Sequence, residues 1–90
     1  MEIRQREMVI ANRFGLHGRT SAILVETARK FEAEIKLVKD DMEADCKSIL
    51  DVMSMACTKG TPVSIKASGP DAEEALAALA GLIAEGFGEQ

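Results

Sequence analysis

The feature that most constrains the fold of this chain is the spacing of its apolar residues, which switches repeatedly between two periods. Apolar and polar residues alternate at residues 3–10, 33–39, 42–46 and 63–68, as they do along half-buried β-strands. The stretches 18–31, 47–56 and 70–85 instead space their apolar residues as amphipathic helices do. The sequence therefore predicts the order β-α-β-β-α-β-α, in a single domain spanning residues 1–90.

The apolar sides of these elements define the predicted core. In the strands and helices, the inward residues are Met8, Ile10, Leu24, Val25, Ala28, Phe31, Ala33, Ile35, Leu37, Met42, Ala44, Cys46, Val63, Ile65, Ala67, Ala72, Ala75, Leu76, Leu79, Leu82 and Ile83. The other side of each strand is polar, so one face of the sheet contacts water. We expect an α+β fold, a mostly antiparallel sheet with all the helices on one face.

Several residues indicate where the helices begin and end. Arg29 and Lys30 fall in the predicted last turn of the first helix, where cations favour the helix dipole. Ser48 suits the N-cap of the second helix. Pro70 suits the first position of the third helix, and Gly86 should end it.

Composition and charge exclude several classes of function. The net charge is −4 with three Phe and no Trp or Tyr, which argues against a nucleic-acid-binding surface. No apolar run approaches the ~20 residues that span a bilayer, and the N-terminus lacks a signal-peptide core, so a cytoplasmic protein is expected. Cys46 and Cys57 lack the close spacing of metal ligands, so we interpret them as reduced, small apolar side chains and expect no metal site.

The chain's one histidine, His17, lies where a loop becomes the first helix. Backbone N–H groups in a first helical turn form an anion site, and a partly neutral imidazole can act as a nucleophile. Arg19 is near enough to support a phosphoryl group on His17, and Gly18 lets a phosphate approach the backbone. The alternative is a surface histidine that only caps a helix.

Three stretches give this chain a resemblance to a known family. "NRFGLHGRTSAILVETARKF" resembles the active-site segment of the HPr family, the phosphocarriers of the bacterial phosphoenolpyruvate-dependent phosphotransferase system, with matches at Asn12, Gly15, Leu16, His17, Arg19 and Ala22. "CKSILDVMSMACTKGTPVSI" is similar to the family's second motif, with matches at Lys47, Ser48, Ile49, Val52, Met53 and Gly60. "ASGPDAEEALAALAGLI" resembles its C-terminal helix.

The resemblance implies a fold and an activity. The fold is an open-faced β-sandwich with a four-stranded antiparallel sheet in the order 1-4-2-3 and three helices on one side. His17 would accept phosphate on Nδ1 from the phosphohistidine of enzyme I and donate it to a IIA-type enzyme, with Arg19 supporting the phosphoryl group. The protein would be a carrier that needs no cofactor, rather than a stand-alone enzyme.

The same resemblance suggests regulation and docking. Ser48 matches a serine that HPr kinase/phosphorylase phosphorylates in many bacteria, although capping alone also explains it. Ala22, Ile49, Leu50 and Met53 are candidates for partner docking. The core side of the second helix is expected to be Val52 and Met55 instead.

The chain departs from the family pattern after the histidine, where the family has Ala-Arg-Pro and this chain has Gly18, Arg19 and Thr20. Losing the proline and gaining a glycine should loosen this anion-binding loop, and the hydroxyl of Thr20 could partly compensate. Two alternatives to the sugar-uptake carrier stay open: a paralogue in the nitrogen-related branch, and a regulator that acts by binding alone. A monomer is expected.

Overall fold

The computed structural model describes residues 2–89 and places the predicted elements in the predicted order. The strands are β1 (Ile3–Val9), β2 (Glu34–Lys39), β3 (Met42–Asp45) and β4 (Pro62–Ser68). The helices are α1 (Gly18–Ala28), α2 (Ile49–Ser54) and α3 (Ala72–Ala84), and a 3-10 turn follows at Gly86–Gly88.

The four strands form one sheet in the order β1-β4-β2-β3, and every neighbouring pair is antiparallel. Ile35 and Leu37 of β2 lie opposite Ala67 and Ile65 of β4, so their side chains share one face. These residues are buried beneath the helices. The predicted α+β fold, with the sheet order 1-4-2-3 and three helices, is confirmed.

The first helix is shorter than the apolar spacing suggested. α1 ends at Ala28, and the chain then closes through tighter bonds from Lys30 N–H to the Thr27 carbonyl and from Phe31 N–H to the Ala28 carbonyl. Arg29 is therefore the C-cap, and the placement of Arg29 and Lys30 in the last helical turn was wrong. Phe31 still packs against the core, which is why its spacing continued the helical pattern.

The third helix begins later than predicted, at Ala72, and the carboxylate of its N-cap residue Asp71 binds outside the helix. The Asp71 carboxylate accepts hydrogen bonds from the backbone N–H groups of Glu32 at 2.9 Å and Ala33 at 2.8 Å. The bond from Glu32 leads the contacts that hold the pKa of Asp71 below its usual range. Asp71 thus joins the start of α3 to the turn before β2, and Pro70 lies in the preceding turn instead of at the first helical position.

Four predicted core residues are less buried than expected: Met42 is exposed, and Met8, Phe31 and Leu82 are only partly buried. Met42 opens β3 beside the hairpin turn and is 46% exposed. Leu82 is only partly buried, at the margin of the apolar stripe of α3. The thiols of Cys46 and Cys57 are free and buried, and burial raises the pKa of Cys46 to about 12, which makes that thiol unreactive.

Candidate functional site

His17 is the N-cap residue of α1, as its position in the sequence suggested. Its backbone is extended, with φ −104° and ψ −171°, and its carbonyl accepts the first helical hydrogen bond from Ser21 N–H at 2.8 Å. The N–H groups of Gly18, Arg19 and Thr20 have no carbonyl four residues back within the helix. The His17 side chain therefore lies beside these backbone donors at the start of α1.

The loop before His17 has a shape that requires a glycine. Gly15 has φ +66°, and a Cβ there would collide with the carbonyl oxygen of Cys57. That same carbonyl accepts a hydrogen bond from Leu16 N–H at 2.8 Å. The segment after α2 thus supports the loop, and Gly15 allows the two backbones to approach.

Both nitrogens of the His17 ring have partners. Nδ1 accepts a hydrogen bond from the backbone N–H of Arg19 at 3.3 Å. Nε2 lies 3.0 Å from Oε2 of Glu89, which, as a carboxylate, can only accept. The hydrogen-bond partners thus assign the proton to Nε2 and the lone pair to Nδ1, so the neutral ring presents a nucleophilic nitrogen to the helix N-terminus.

Glu89 is itself held in place by Asn12, whose Nδ2 donates to Oε1 of Glu89 at 2.9 Å. That bond, followed by those from the ring of His17 and the charge of Arg19, holds the pKa of Glu89 below its usual range. The buried Asn12 amide also donates to the Gly15 carbonyl at 2.8 Å. Asn12 thus joins the loop to the carboxylate that orients the histidine ring.

The segment from Gly86 to Glu89 brings this carboxylate to the site. Gly86, Phe87 and Gly88 all have left-handed φ angles, of 62°, 57° and 75°, which turn the chain back over Asn12. The side chain of Phe87 is buried in the core, and this burial offsets the strain of a left-handed conformation in a residue with a Cβ. The prediction that Gly86 ends the helical stretch is consistent with this turn.

Thr20 is hydrogen-bonded within the loop that carries His17. Its side chain is fully buried, and its Oγ1 donates to the Gly15 carbonyl at 2.8 Å and accepts from His17 N–H at 3.1 Å. The compensation expected from this hydroxyl is present in the structure. Gly18 is exposed, and its φ is not in the left-handed region, so a Cβ there would meet no atom within 4 Å.

The exposed side of the site carries two cations and an aromatic ring. Arg19 lies on the surface, and within residues 2–89 its side chain makes no hydrogen bond or ion pair. Phe14 is 65% exposed and meets the His17 ring edge to face at a centroid distance of 6.3 Å. The guanidinium of Arg13 lies 5.3 Å from the centre of the Phe14 ring.

The candidate docking residues lie at the surface. Leu50 is 77% exposed, Met53 42% and Ile49 37%, whereas the opposite side of α2 is buried through Val52 and Met55, as predicted. Ala22, on α1, is half-buried. Because α1 packs against α2, these residues lie on two adjoining helices, and the first of these is the helix that His17 caps.

Ser48 is the N-cap of α2, as predicted. Its Oγ accepts a hydrogen bond from Asp51 N–H at 3.3 Å. The Asp51 carboxylate in turn accepts from Asp45 N–H at 3.2 Å. The serine hydroxyl is half-buried at the margin of the candidate docking residues.

The structure adds a residue to the site that sequence reasoning missed. No acidic partner for His17 could be identified, because Glu89 lies 72 residues away along the chain. Only a contact made by folding brings the two together. Phe14 was also missed, although an aromatic residue in a polar loop three positions before the histidine could have drawn attention.

Among residues 2–89, no group of three or more His, Cys, Asp and Glu side chains is arranged to hold a metal ion. Within the same range, no helix has the length and apolar content needed to cross a membrane.

Comparison with known proteins places the chain in a family. Residues 4–85 match the family model described as the PTS HPr component phosphorylation site. The phosphocarrier protein HPr of Cupriavidus necator is 42% identical over 85 residues, covering 94% of this chain and 96% of the relative. The Glu89 contact lies outside the residues matched by the family model.

Solved structures agree with this match. HPr from Thermoanaerobacter tengcongensis superposes with a TM-score of 0.93 at 40% identity, covering 97% of this chain and 98% of the other. HPr from Bacillus anthracis gives a TM-score of 0.89 at 36% identity, covering 92% and 99%. The histidine at the start of α1, the sheet order and these matches agree, and the chain belongs to the HPr family of phosphocarrier proteins of the phosphotransferase system.

Proposed function

We propose that this protein accepts a phosphoryl group on Nδ1 of His17 from phosphorylated enzyme I and passes it to a IIA-type enzyme. The observation that carries the proposal is the orientation of the ring. Glu89 accepts a hydrogen bond from Nε2–H, so the Nδ1 lone pair faces the N–H of Arg19 in the first turn of α1. That is the nitrogen on which an incoming phosphoryl group would find donors already in place.

The chemistry is a displacement at phosphorus. The Nδ1 lone pair of His17 forms a new P–N bond, while the P–N bond of the donor breaks and leaves its electron pair on the donor's nitrogen. Transfer to the acceptor runs the same exchange in the opposite sense. Because both bonds are of the same type, the carrier needs positioning and charge stabilisation more than it needs further catalytic groups.

Acceptance of the phosphoryl group would replace the contact between Arg19 N–H and Nδ1. The 3.3 Å hydrogen bond is weak, and the freed N–H, together with those of Gly18 and Thr20, can donate to phosphate oxygens. The guanidinium of Arg19 would add a charge-assisted contact. Glu89 would keep the Nε2 proton engaged, so the ring becomes cationic on phosphorylation beside an existing carboxylate.

Docking would use the exposed apolar residues Ile49, Leu50 and Met53 with the half-buried Ala22, and Phe14 would extend the surface beside the histidine. Apolar side chains this exposed contribute little to the stability of the free protein. Enzyme I and IIA-type enzymes would bury them in turn, as histidine-to-histidine transfer requires each partner to reach the same exposed ring.

Incubation with enzyme I and phosphoenolpyruvate tests the proposal. Phosphorus and nitrogen NMR should detect one phosphohistidine, on Nδ1 of His17, and His17→Ala should abolish it. If no phosphohistidine forms on the wild-type protein, the carrier function fails. A regulator that acts by binding alone would retain its effect in His17→Ala, so the same variant separates the two functions.

The acceptor separates the two branches of the system. Phosphorylated protein should be offered in parallel to a IIA-type enzyme of a sugar transporter and to one of the nitrogen-related branch. Rapid transfer to the first supports sugar uptake, and rapid transfer to the second assigns the protein to the regulatory branch. Size-exclusion chromatography of the same sample tests the expected monomer.

Phosphorylation of Ser48 stays a prediction. The capping bond to Asp51 N–H explains this serine without any regulation. Incubation with HPr kinase/phosphorylase and ATP should label the wild-type protein and spare Ser48→Ala. Equal labelling of the two proteins would rule out Ser48 as the acceptor.

A further inference from the structure

Thr20 is a polar residue in a place where the core excludes water. It is the third residue of α1, and its side chain is 0% exposed. The resemblance to the HPr family puts a proline at this position. A proline cannot offer a hydroxyl, so this chain has acquired two hydrogen bonds that the family pattern does not supply.

The hydroxyl of Thr20 connects both ends of the turn that carries His17. Oγ1 lies 2.8 Å from the Gly15 carbonyl, 3.1 Å from the His17 N–H nitrogen and 3.4 Å from the His17 carbonyl. A hydroxyl has one proton, which goes to the shorter acceptor, and its lone pair accepts from His17 N–H. Thr20 therefore fixes the backbone directly before and at the histidine.

The turn has few other restraints on this side. The Gly15 carbonyl also accepts from Asn12, and Leu16 is bound to the Cys57 carbonyl, but apart from Thr20 the His17 N–H approaches only the Gly15 carbonyl, at 3.2 Å. Gly18, which follows directly, adds backbone freedom. Without the hydroxyl, the His17 N–H would keep only its contact with the Gly15 carbonyl, and the contacts of both ring nitrogens depend on where that backbone lies.

We infer that Thr20 is a positioning residue for phosphoryl transfer: its buried hydroxyl sets the His17 backbone so that Nδ1 faces the first turn of α1 while Nε2 meets Glu89. This inference rests on the proposed carrier function. Thr20 touches neither the phosphoryl group nor the partner through its side chain, so it acts through His17 alone. In the family pattern a proline ring fixes the backbone angle φ at this position, and in this chain the hydroxyl of Thr20 restrains the backbone instead.

Two variants of Thr20 separate the hydroxyl from the shape of the side chain. Thr20→Val keeps the branched shape and removes the hydroxyl, whereas Thr20→Ser keeps the hydroxyl and removes a methyl group. We expect Thr20→Val to lower kcat for phosphorylation by enzyme I about fivefold with little change in KM, because a lost internal hydrogen bond misplaces the ring but leaves the docking residues intact. Thr20→Ser should stay within about twofold of the wild-type kcat despite the lost methyl packing.

A second measurement does not depend on phosphoryl transfer. In Thr20→Val the amide of His17 loses the nearer of its two acceptors, so its hydrogen exchange should accelerate about tenfold relative to the wild type, while Thr20→Ser should not change it. An unchanged His17 amide and an unchanged kcat in Thr20→Val would overturn the inference, as would an equal loss of kcat in both variants. If Thr20→Val does not fold, Thr20→Ser decides alone: wild-type kcat and exchange support the hydroxyl, and a loss overturns it. Failure of the carrier function would instead show as no phosphohistidine on the wild-type protein.

Discussion

The N-termini of α1 and α2 are capped by similar contacts but differ in charge. At α1, Nδ1 of His17 accepts from Arg19 N–H, and the first turn holds no acidic residue. At α2, Oγ of Ser48 accepts from Asp51 N–H, and Asp51 places a carboxylate in the first turn. Both caps satisfy a backbone donor, but only the first leaves its helix end without a negative charge in that turn.

The difference shows which helix end is prepared for a phosphate. A phosphoryl group on His17 would meet the cation of Arg19 and the N–H groups of the first turn, with the Arg19 N–H released from Nδ1. A phosphate on Ser48 would meet the carboxylate of Asp51, which already bonds to Asp45 N–H, and would displace the capping contact. The α1 end therefore suits repeated loading and unloading, whereas modification at the α2 end would disturb the helix it caps.

The largest expected effect comes from giving α1 the cap of α2. Serine is a good N-cap, so His17→Ser should fold with an unfolding free energy within about 0.5 kcal/mol of the wild type. Its phosphorylation by enzyme I should nevertheless vanish, because the nucleophilic nitrogen is gone. Chemical denaturation and the phosphotransfer assay measure the two quantities on one sample. A large loss of stability would mean that the histidine ring holds the fold together, contrary to the comparison.

At α2 we expect the opposite result, in which stability falls and phosphorylation of His17 is retained. Ser48→Ala removes only a cap, so it should lower the unfolding free energy by about 1 kcal/mol and leave phosphorylation of His17 within about twofold. Ser48→Asn, which can still cap, is the matched control and should recover most of the stability. If Ser48→Ala slowed phosphorylation of His17 tenfold while Ser48→Asn did not, the two helix ends would be coupled.

The smallest expected effect is a pH dependence of stability that arises at the N-terminus of α1. The Asn12 amide is the first cause that holds the pKa of Glu89 below its ordinary value of 4.5. A carboxyl whose pKa is lower in the folded protein adds stability above its unfolded pKa, and this is lost as the pH falls through the folded pKa. Glu89→Gln should thus be less stable than the wild type at pH 7, and the difference should shrink below pH 4.5. Denaturation at a series of pH values checks this, and a difference independent of pH would contradict it.

Much of the fold could be predicted because its elements differ in local period. The alternation of β2 and β4 put Ile35, Leu37 and Ile65 on one face, and their burial followed. The ends of elements were less predictable, since Phe31 continues the helical spacing after the helix has stopped. The role of Asp71 was not predictable either, since its carboxylate binds N–H groups from a turn that lies 38 and 39 residues away along the chain.

The residues of the candidate site also differ in how far the sequence could predict them. The positions of His17, Arg19 and Ser48 at helix starts were predictable because short motifs identify those starts. Glu89 was not, because the left-handed turn that carries it back to residue 12 depends on Phe87 finding a place in the core. Contacts across 72 and 77 residues leave no trace in local spacing.

The sheet order also has a consequence for synthesis on the ribosome. β4 lies between β1 and β2, so the first strand to emerge has no neighbour until residues 62–68 are made. The β2–β3 hairpin can pair early, but the sheet cannot close around it. The carboxylate that orients the histidine emerges later still, at residue 89. A nascent chain would thus expose His17 long before Glu89 can orient its ring, so acceptance of phosphate on His17 should begin only after residue 89 has been made.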